Sequence, residues 1–330
     1  MEKELYGVLE DGTEVYKAIL KNDDAKVSII GFGAIITDFT VYGVNVTSGL
    51  DSLEEYVADR QNRGGAIGRV ANRIEDATFT MDGAIYMVKE TGNGHCLHGG
   101  ICFNKRVWDI TEEGENYVAF TYYSPDGENG FPGGLRTTIR YSLVGTALVI
   151  EYSAIPESKT PIALTNHAYF NLSDFTESID SHRLTIWAKN YTAINAQRLP
   201  TGERPPVDGT LFDFREERAI GPLPEDFMGY DNNFVLCPEI YKEFNKNRVG
   251  LAASVTDGKL RLNTYTDQPG MQFYVAFSKG GNAGRNSPDV KRNAYCFETQ
   301  TEPNCVKHGE GFYDAGEEYV HTCVYEVVKA

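Results

Sequence analysis

The chain has 330 residues, 41% of them hydrophobic and 12% aromatic, which is ample material for a large core and excludes disorder over most of its length. Acidic residues outnumber basic ones by 47 to 31, and a net charge of −16 repels nucleic acid and anionic lipid. The same balance disfavours a dedicated phosphosugar enzyme, which needs clustered Arg or Lys, and leaves neutral small molecules as the expected partners. No apolar run of about 18 residues occurs. The opening MEKELYGVLEDG has nothing that a signal peptidase could read, so no membrane association and a cytoplasmic address are expected. Six cysteines at irregular intervals, without a CxxC pair, are expected to be reduced and mostly buried.

In chain order, the dominant local signal is the β-hairpin. Asp-Gly sits between alternating segments in GVLEDGTEVYKAIL (7–20), ATFTMDGAIYMV (77–88) and ASVTDGKLRL (253–262), where glycine supplies the left-handed dihedrals of a tight turn. GFGAII (31–36) holds a lone GxG without a third glycine or a following helix, so it is not a dinucleotide loop. SLEEYVADR (52–60) is the best helical segment and is short. IGRVANRIEDATF (67–79) places Arg69 and Arg73 among small and apolar residues. A half-buried guanidinium needs acceptors, which either a ligand's hydroxyls or a structural carboxylate supplies. GHCLHGG (94–100) offers His95 and His98, but residues three apart in an extended segment face opposite ways, so a shared metal ion is not expected.

LRTTIRYSLV (135–144) alternates cleanly, with Leu135, Thr137, Ile139, Tyr141 and Leu143 facing one way. Read as a strand, LTNHAYFNL (164–172) carries Leu164, Asn166, Ala168, Phe170 and Leu172 on an apolar face. Thr165, His167, Tyr169 and Asn171 lie on the other, a mixture of donors, acceptors and a ring that suits a sugar. A solvent-facing strand with a satisfied histidine is the competing reading. LPTGERPPVDG (199–209) reads as a surface loop, and Asp231 in GYDNNF (229–234) reads equally as a site carboxylate or a turn residue. In GMQFYVAFS (270–278), Met271, Phe273, Val275 and Phe277 point inward, opposite Gln272, Tyr274 and Ser278. In AYCFETQTEP (294–303), Glu298 and Gln300 share one side. A carboxyl set in Tyr-Cys-Phe is expected to be desolvated, with a raised pKa, unless the strand lies at an exposed sheet edge. The whole is expected to be all-β, a large antiparallel β-sandwich forming one domain over 1–330.

Taken together, GRVANRI (68–74), LHGG (97–100), GENGFPGGL (127–135), TNHAYFNL (165–172), DNNF (231–234), QPGMQFY (268–274) and ETQTEPN (298–304) resemble the ordered motif series of the aldose 1-epimerase, or galactose mutarotase, family. The resemblance implies a β-supersandwich, no cofactor and a small-molecule sugar substrate; no metal is expected, and the chain is expected to be a monomer or homodimer. The resemblance assigns the general base to Glu298 and the general acid to His167; mutarotation chemistry adds the expectation of His98 as a second catalytic donor near the ring oxygen. Sugar contacts fall on Asn72, Arg73, His98, Tyr169, Asp231 and Gln272. There are departures: Pro303-Asn304-Cys305 stands where Pro-Asp-Ala is common, ICFNKRVW follows LHGG without the usual glycine, and Asp314-Ala315-Gly316 replaces a late Pro-Gly. Two rivals remain open at this point. A glycoside hydrolase or lyase would use Asp231 and Glu298 as paired carboxylates, and a sugar-binding module would need no acid–base pair. A relative acting on a sugar 6-phosphate is disfavoured by the charge.

Overall fold

The structure, a computed structural model, describes residues 1–101, 103–225, 227, 229–276 and 292–330. It is built from antiparallel strands, and the α-helix among the described residues is the single turn and a half Leu53–Ala58. That helix starts where Ser52 Oγ accepts the amide of Glu55, which satisfies one of the amides a helix start leaves unpaired. The three Asp-Gly hairpins form as expected: Glu2–Val8 with Glu14–Lys21, Thr78–Met81 with Ala84–Met87, and Asn247–Thr256 with Leu260–Thr266. At the second of these turns both Asp82 (φ 51°) and Gly83 (φ 80°) are left-handed, the twist that matches paired strands.

A ten-stranded sheet forms one layer. Its order runs Asp109–Glu113, Tyr117–Ser124, Leu135–Val144, Ala147–Pro156, Tyr319–Lys329, Leu260–Thr266, Asn247–Thr256, Arg183–Ile186 and Arg218–Ala219, with Tyr241–Phe244 also paired to Asn247–Thr256. Its inner face carries Ile139, Ile150, Leu148, Tyr325 and Leu262. These pack with Val27, Ile29 and Phe39 of a five-stranded sheet (residues 2–45) and with Phe234, Phe273 and Phe297 of a four-stranded sheet. The four-stranded sheet runs Ala188–Tyr191, Asp231–Leu236, Gly270–Val275, Tyr295–Gln300. The sandwich is thus one wide sheet against two narrower ones.

Two expectations change in detail. Within 164–172 only Thr165–Asn166 is regular strand, paired with Ala66–Ile67. The rest is held by irregular chain on both sides: Gly64 donates to the His167 carbonyl, His167 to that of Gly65, and Ser48 to that of Tyr169. The alternation survives anyway in which side chains face the core. Leu164, Ala168, Phe170 and Leu172 enter the core, while His167 and Tyr169 face the other way. The exposed-edge reading of Glu298 also fails. Its strand is the last of the four-stranded sheet, yet all six residues are buried, because segment 164–172 covers that edge and Phe170 bridges to Tyr295. Phe277 and Ser278 lie outside the described residues. So does Cys102; the other five cysteines are free thiols, and all but Cys237 are buried.

Arg69 resolves as structural. Fully buried, it donates to the Ser124 hydroxyl and carbonyl, to the Pro125 and Pro132 carbonyls and to Thr160, tying the 68–74 motif to the strands behind it. The departure at Asn304 is accommodated because Asn tolerates the left-handed region (φ 64°) and its Oδ1 accepts the amide of Glu75.

Burial holds the imidazoles of His182 and His321 neutral, with pKa lowered to about 4 from the ordinary 6.5. In the unfolded chain both take up a proton below pH about 6.5, so the unfolded state binds more protons between these limits. Their stabilising contribution is complete above pH 6.5 and is lost as pH falls toward 4, up to a few kcal/mol each on the order of 1.4 kcal/mol per pKa unit. The melting temperature should therefore drop steadily between pH 7 and 4.5 in a thermal-unfolding series; a flat profile would contradict the buried, neutral assignment.

Candidate active site

A cleft of about 160 Å³ opens on the side of the sandwich where the short ladders meet the four-stranded sheet. Such a volume is small beside the ~300–1,000 Å³ of sites for drug-sized ligands and suits a single sugar ring. The pairing of Arg73–Ile74 with Cys96–Leu97, and of Ala66–Ile67 with Thr165–Asn166, carries the 68–74, 94–100 and 164–172 motifs to one place. Cross-strand register then sets Asp231 beside Tyr274 and Gln272 beside Glu298.

Of the eight residues expected to form a site, seven line the cleft: Asn72, Arg73, His98, His167, Tyr169, Asp231 and Glu298. Gln272 does not. It stands behind Asp231, donating from Nε2 to Oδ1 at 2.8 Å, so it orients a wall residue rather than forming the wall. Thr165 and Asn171 also stay out of the cleft; Asn171 is consumed by the Glu177 and Asn293 carbonyls. Residues the sequence reading did not single out complete the lining: Arg60, Gln61, Asn62, Leu97 and Arg198, with Tyr274. Arg198 pairs with the second oxygen of Asp231. Nothing local marks it, since it comes from a loop 33 residues upstream of its partner.

His167 is the centre of the arrangement. Tyr169 stacks on its ring (centroids 5.0 Å apart, 24° between planes), while His98 and Tyr274 meet it edge-on at 5.3 and 6.2 Å. Tyr169 is itself pinned by donating its hydroxyl to the Gln61 carbonyl at 3.0 Å, with the Arg63 guanidinium, paired to Asp59, over its ring. His167 Nε2 lies 3.7 Å from Glu298 Oε1. That spacing admits an ion pair, but the surroundings oppose one. Burial lowers the imidazole to about 4, and burial, helped by Asp231, raises the Glu298 carboxyl well above its ordinary range, with Arg73 pulling the other way. The two form a neutral pair holding one proton between them. The ordinary histidine pKa of about 6.5 does not apply to His167 here.

His98 is held differently. The backbone amide of Asn72 donates to its Nδ1 at 3.2 Å, so its hydrogen is carried on Nε2. Burial first, then the neighbouring His167 imidazole and the Arg73 charge, keep its pKa well below 6.5. Ligand-type atoms of His98, His167 and Glu298 lie within 4.8 Å of one another, a spacing compatible with a metal ion. The Asn72 amide counts against one, because a nitrogen that carries hydrogen has no lone pair to give. Among the described residues, Arg73 is half-buried with no hydrogen-bonding side-chain partner, and Glu298 Oε2 is buried without a protein partner. Both are free to meet a ligand's hydroxyls.

The matching family model, described as "Aldose 1-epimerase", covers residues 16–326. The chain is 38% identical over 325 residues to the galactose mutarotase of Homo sapiens, spanning 94% of this chain and 93% of that protein. It is 32% identical over 294 residues to the aldose 1-epimerase of Escherichia coli K12, spanning 85% and 84%. The structure of galactose 1-epimerase from Lactobacillus acidophilus NCFM superposes with a TM-score of 0.87 at 26% identity, over 100% of this chain and 98% of that one. Motif order, fold and near full-length identity agree: the chain belongs to the aldose 1-epimerase family.

Proposed function

We propose that the chain interconverts the α and β anomers of free hexoses such as galactose and glucose, with Glu298 and His167 as its proton-handling pair. The observation that carries this is their 3.7 Å approach in a small, buried, hydroxyl-friendly cleft. Mutarotation removes the proton of the C1 hydroxyl and breaks the bond from C1 to the ring oxygen while that oxygen gains a proton. A bare alkoxide is a poor leaving group and the hydroxyl is a weak acid, so neither step is easy alone. A base and an acid acting together avoid both ions, each contributing about 10²–10⁴-fold.

Glu298 takes the C1 proton and His167 gives its Nε2 proton to the ring oxygen. The C1–C2 bond rotates, the aldehyde turns its other face, and closure runs the transfers backwards. Opening thus converts carboxylate and imidazolium into carboxylic acid and imidazole. That product is the protonation state that burial favours, so ring opening removes two buried charges. Arg73, whose charge opposes the upward shift of Glu298, supports the ionised form needed at the start. Arg73, Asn72, Tyr169 and Asp231 serve as the hydroxyl-binding rim, and His98 as a fixed neutral donor. Asp231 is already engaged by Arg198 and Gln272, which favours a binding role over that of a hydrolase carboxylate.

Glu298→Gln and His167→Asn should each lower kcat by at least ~10²-fold with the fold intact, measured by polarimetry on fresh α-galactose and α-glucose; near-normal turnover in either variant would refute the assignment. The neutral pair takes a second proton on His167 as pH falls through about 4, which leaves no base. kcat/KM should accordingly hold from pH 7 to about 5 and collapse through about 4; an acid limb near 6.5 would show an ordinary histidine instead. Arg198→Ala should raise KM roughly tenfold with kcat little changed, the ~1.4 kcal/mol of one hydrogen-bonded anchor. A fall in kcat with constant KM would place Arg198 in the chemical step.

A further inference from the structure

The two cleft histidines differ in what meets Nδ1. His98 Nδ1 accepts a backbone N–H, which ties the ring to one protonation state: it offers Nε2–H and cannot take a second proton without losing that bond. His167 Nδ1 lies 3.5 Å from the thiol of Cys296, in a buried contact between residues 129 apart. Cys296 shares a strand face with Glu298, two residues on, so one strand addresses both ends of the imidazole: carboxyl at Nε2, thiol at Nδ1.

The ring's other neighbours are Tyr169, Tyr274 and His98; its own backbone carbonyl also acts on it, ahead of the charges of Asp231, Asp59 and Arg63. None of the three ring contacts is a hydrogen bond to Nδ1. Giving up the Nε2 proton leaves His167 with its hydrogen on Nδ1, and taking it back returns the imidazolium. In both forms Nδ1–H needs an acceptor that stays in place.

We propose that Cys296 is a positioning residue for His167, its sulfur accepting the Nδ1 hydrogen so that Nε2 alone moves the proton. The inference rests on the reading of His167 as the proton donor. Sulfur suits the task because it is uncharged. A carboxylate at this position would stabilise the imidazolium and weaken it as an acid, whereas a thiol fixes the ring and its tautomer without doing so. Burial supports this by pushing the thiol well above its ordinary pKa, so it stays S–H and adds no charge. The pattern assigns different tautomers to the two rings: Nδ1–H on His167, Nε2–H on His98.

Cys296→Ala should lower kcat by the ~10–100-fold that outer partners of a functional imidazole carry at metal sites, with KM within about threefold. Cys296→Ser, whose oxygen also accepts, should recover most of that loss. A wild-type kcat in Cys296→Ala, or a Cys296→Ser variant as slow as Cys296→Ala, would overturn the proposal. ¹⁵N ring shifts of His167 in the unaltered protein near pH 7 provide a test that needs no variant: hydrogen on Nδ1 is expected, and hydrogen on Nε2 with Nδ1 bare would overturn it. In the alanine variant the Nδ1 resonance should move; an unmoved signal would mean that the hydrogen is directed to another acceptor, His167's own carbonyl included. His167→Asn run in parallel separates the two claims. If it keeps its rate, the proton-donor reading fails; if it is dead while Cys296→Ala is normal, only the role of Cys296 fails.

Discussion

The cleft depends on keeping one proton between a carboxyl and an imidazole that are largely withdrawn from water. Glu298 and His167 are both almost fully buried, and burial acts on them in opposite directions, raising the one and lowering the other. In water the same pair would rest as carboxylate and imidazolium. Here the charged form is costly, and the ring-opening step discharges it. Desolvation that looks unhelpful to a general base therefore favours the reaction as a whole, because charge is being removed as the ring opens.

That arrangement needs a counterweight, or the ionised form would never be reached. Arg73 provides it from beside Glu298, with no hydrogen-bonding side-chain partner of its own among the described residues. Asp231 pushes the other way but is turned toward Arg198 and Gln272. The chain is strongly acidic as a whole, yet three arginines line this one cleft. Guanidinium groups are donors without acceptors, and a free sugar presents a rim of oxygen lone pairs, so the local reversal of charge makes sense for an uncharged ligand. The electrostatics and the hydroxyl recognition are served by the same side chains.

Much of this was legible in the sequence, for reasons that individual residues make plain. The facing of His167 and Tyr169 was correct although the expected strand is only two residues long, so the alternation does not depend on ladder hydrogen bonds. Arg69 and Arg73, four apart in one motif, could not be separated by pattern. One is saturated by carbonyls and hydroxyls of residues 124–160, and the other faces the cleft, a difference made by chain far away. Arg198 and Cys296 were invisible for the same reason. Their partners lie 33 and 129 residues off, and an arginine in a loop or a cysteine in an apolar strand carries no periodic signal. Gln272 was placed on the right strand face, but whether it reaches the cleft or backs Asp231 depends on side-chain length and register together.

The remaining question is why His98 is dependable as a neutral donor. Asn72 and His98 both adopt left-handed backbone, with φ of 60° and 55°, a conformation that costs a non-glycine residue about 1 kcal/mol or more. The conformations leave these two residues exchanging bonds: the Asn72 amide donates to His98 Nδ1 at 3.2 Å, and the His98 amide donates to the Asn72 carbonyl at 2.9 Å. A side chain alone would let the ring flip or change tautomer, whereas this reciprocal clamp is made by backbone that cannot. The strain is local and the return is specific. One imidazole is locked so that it only donates, which leaves its neighbour, 5.3 Å away, as the one whose ring nitrogen is free to gain and lose a proton.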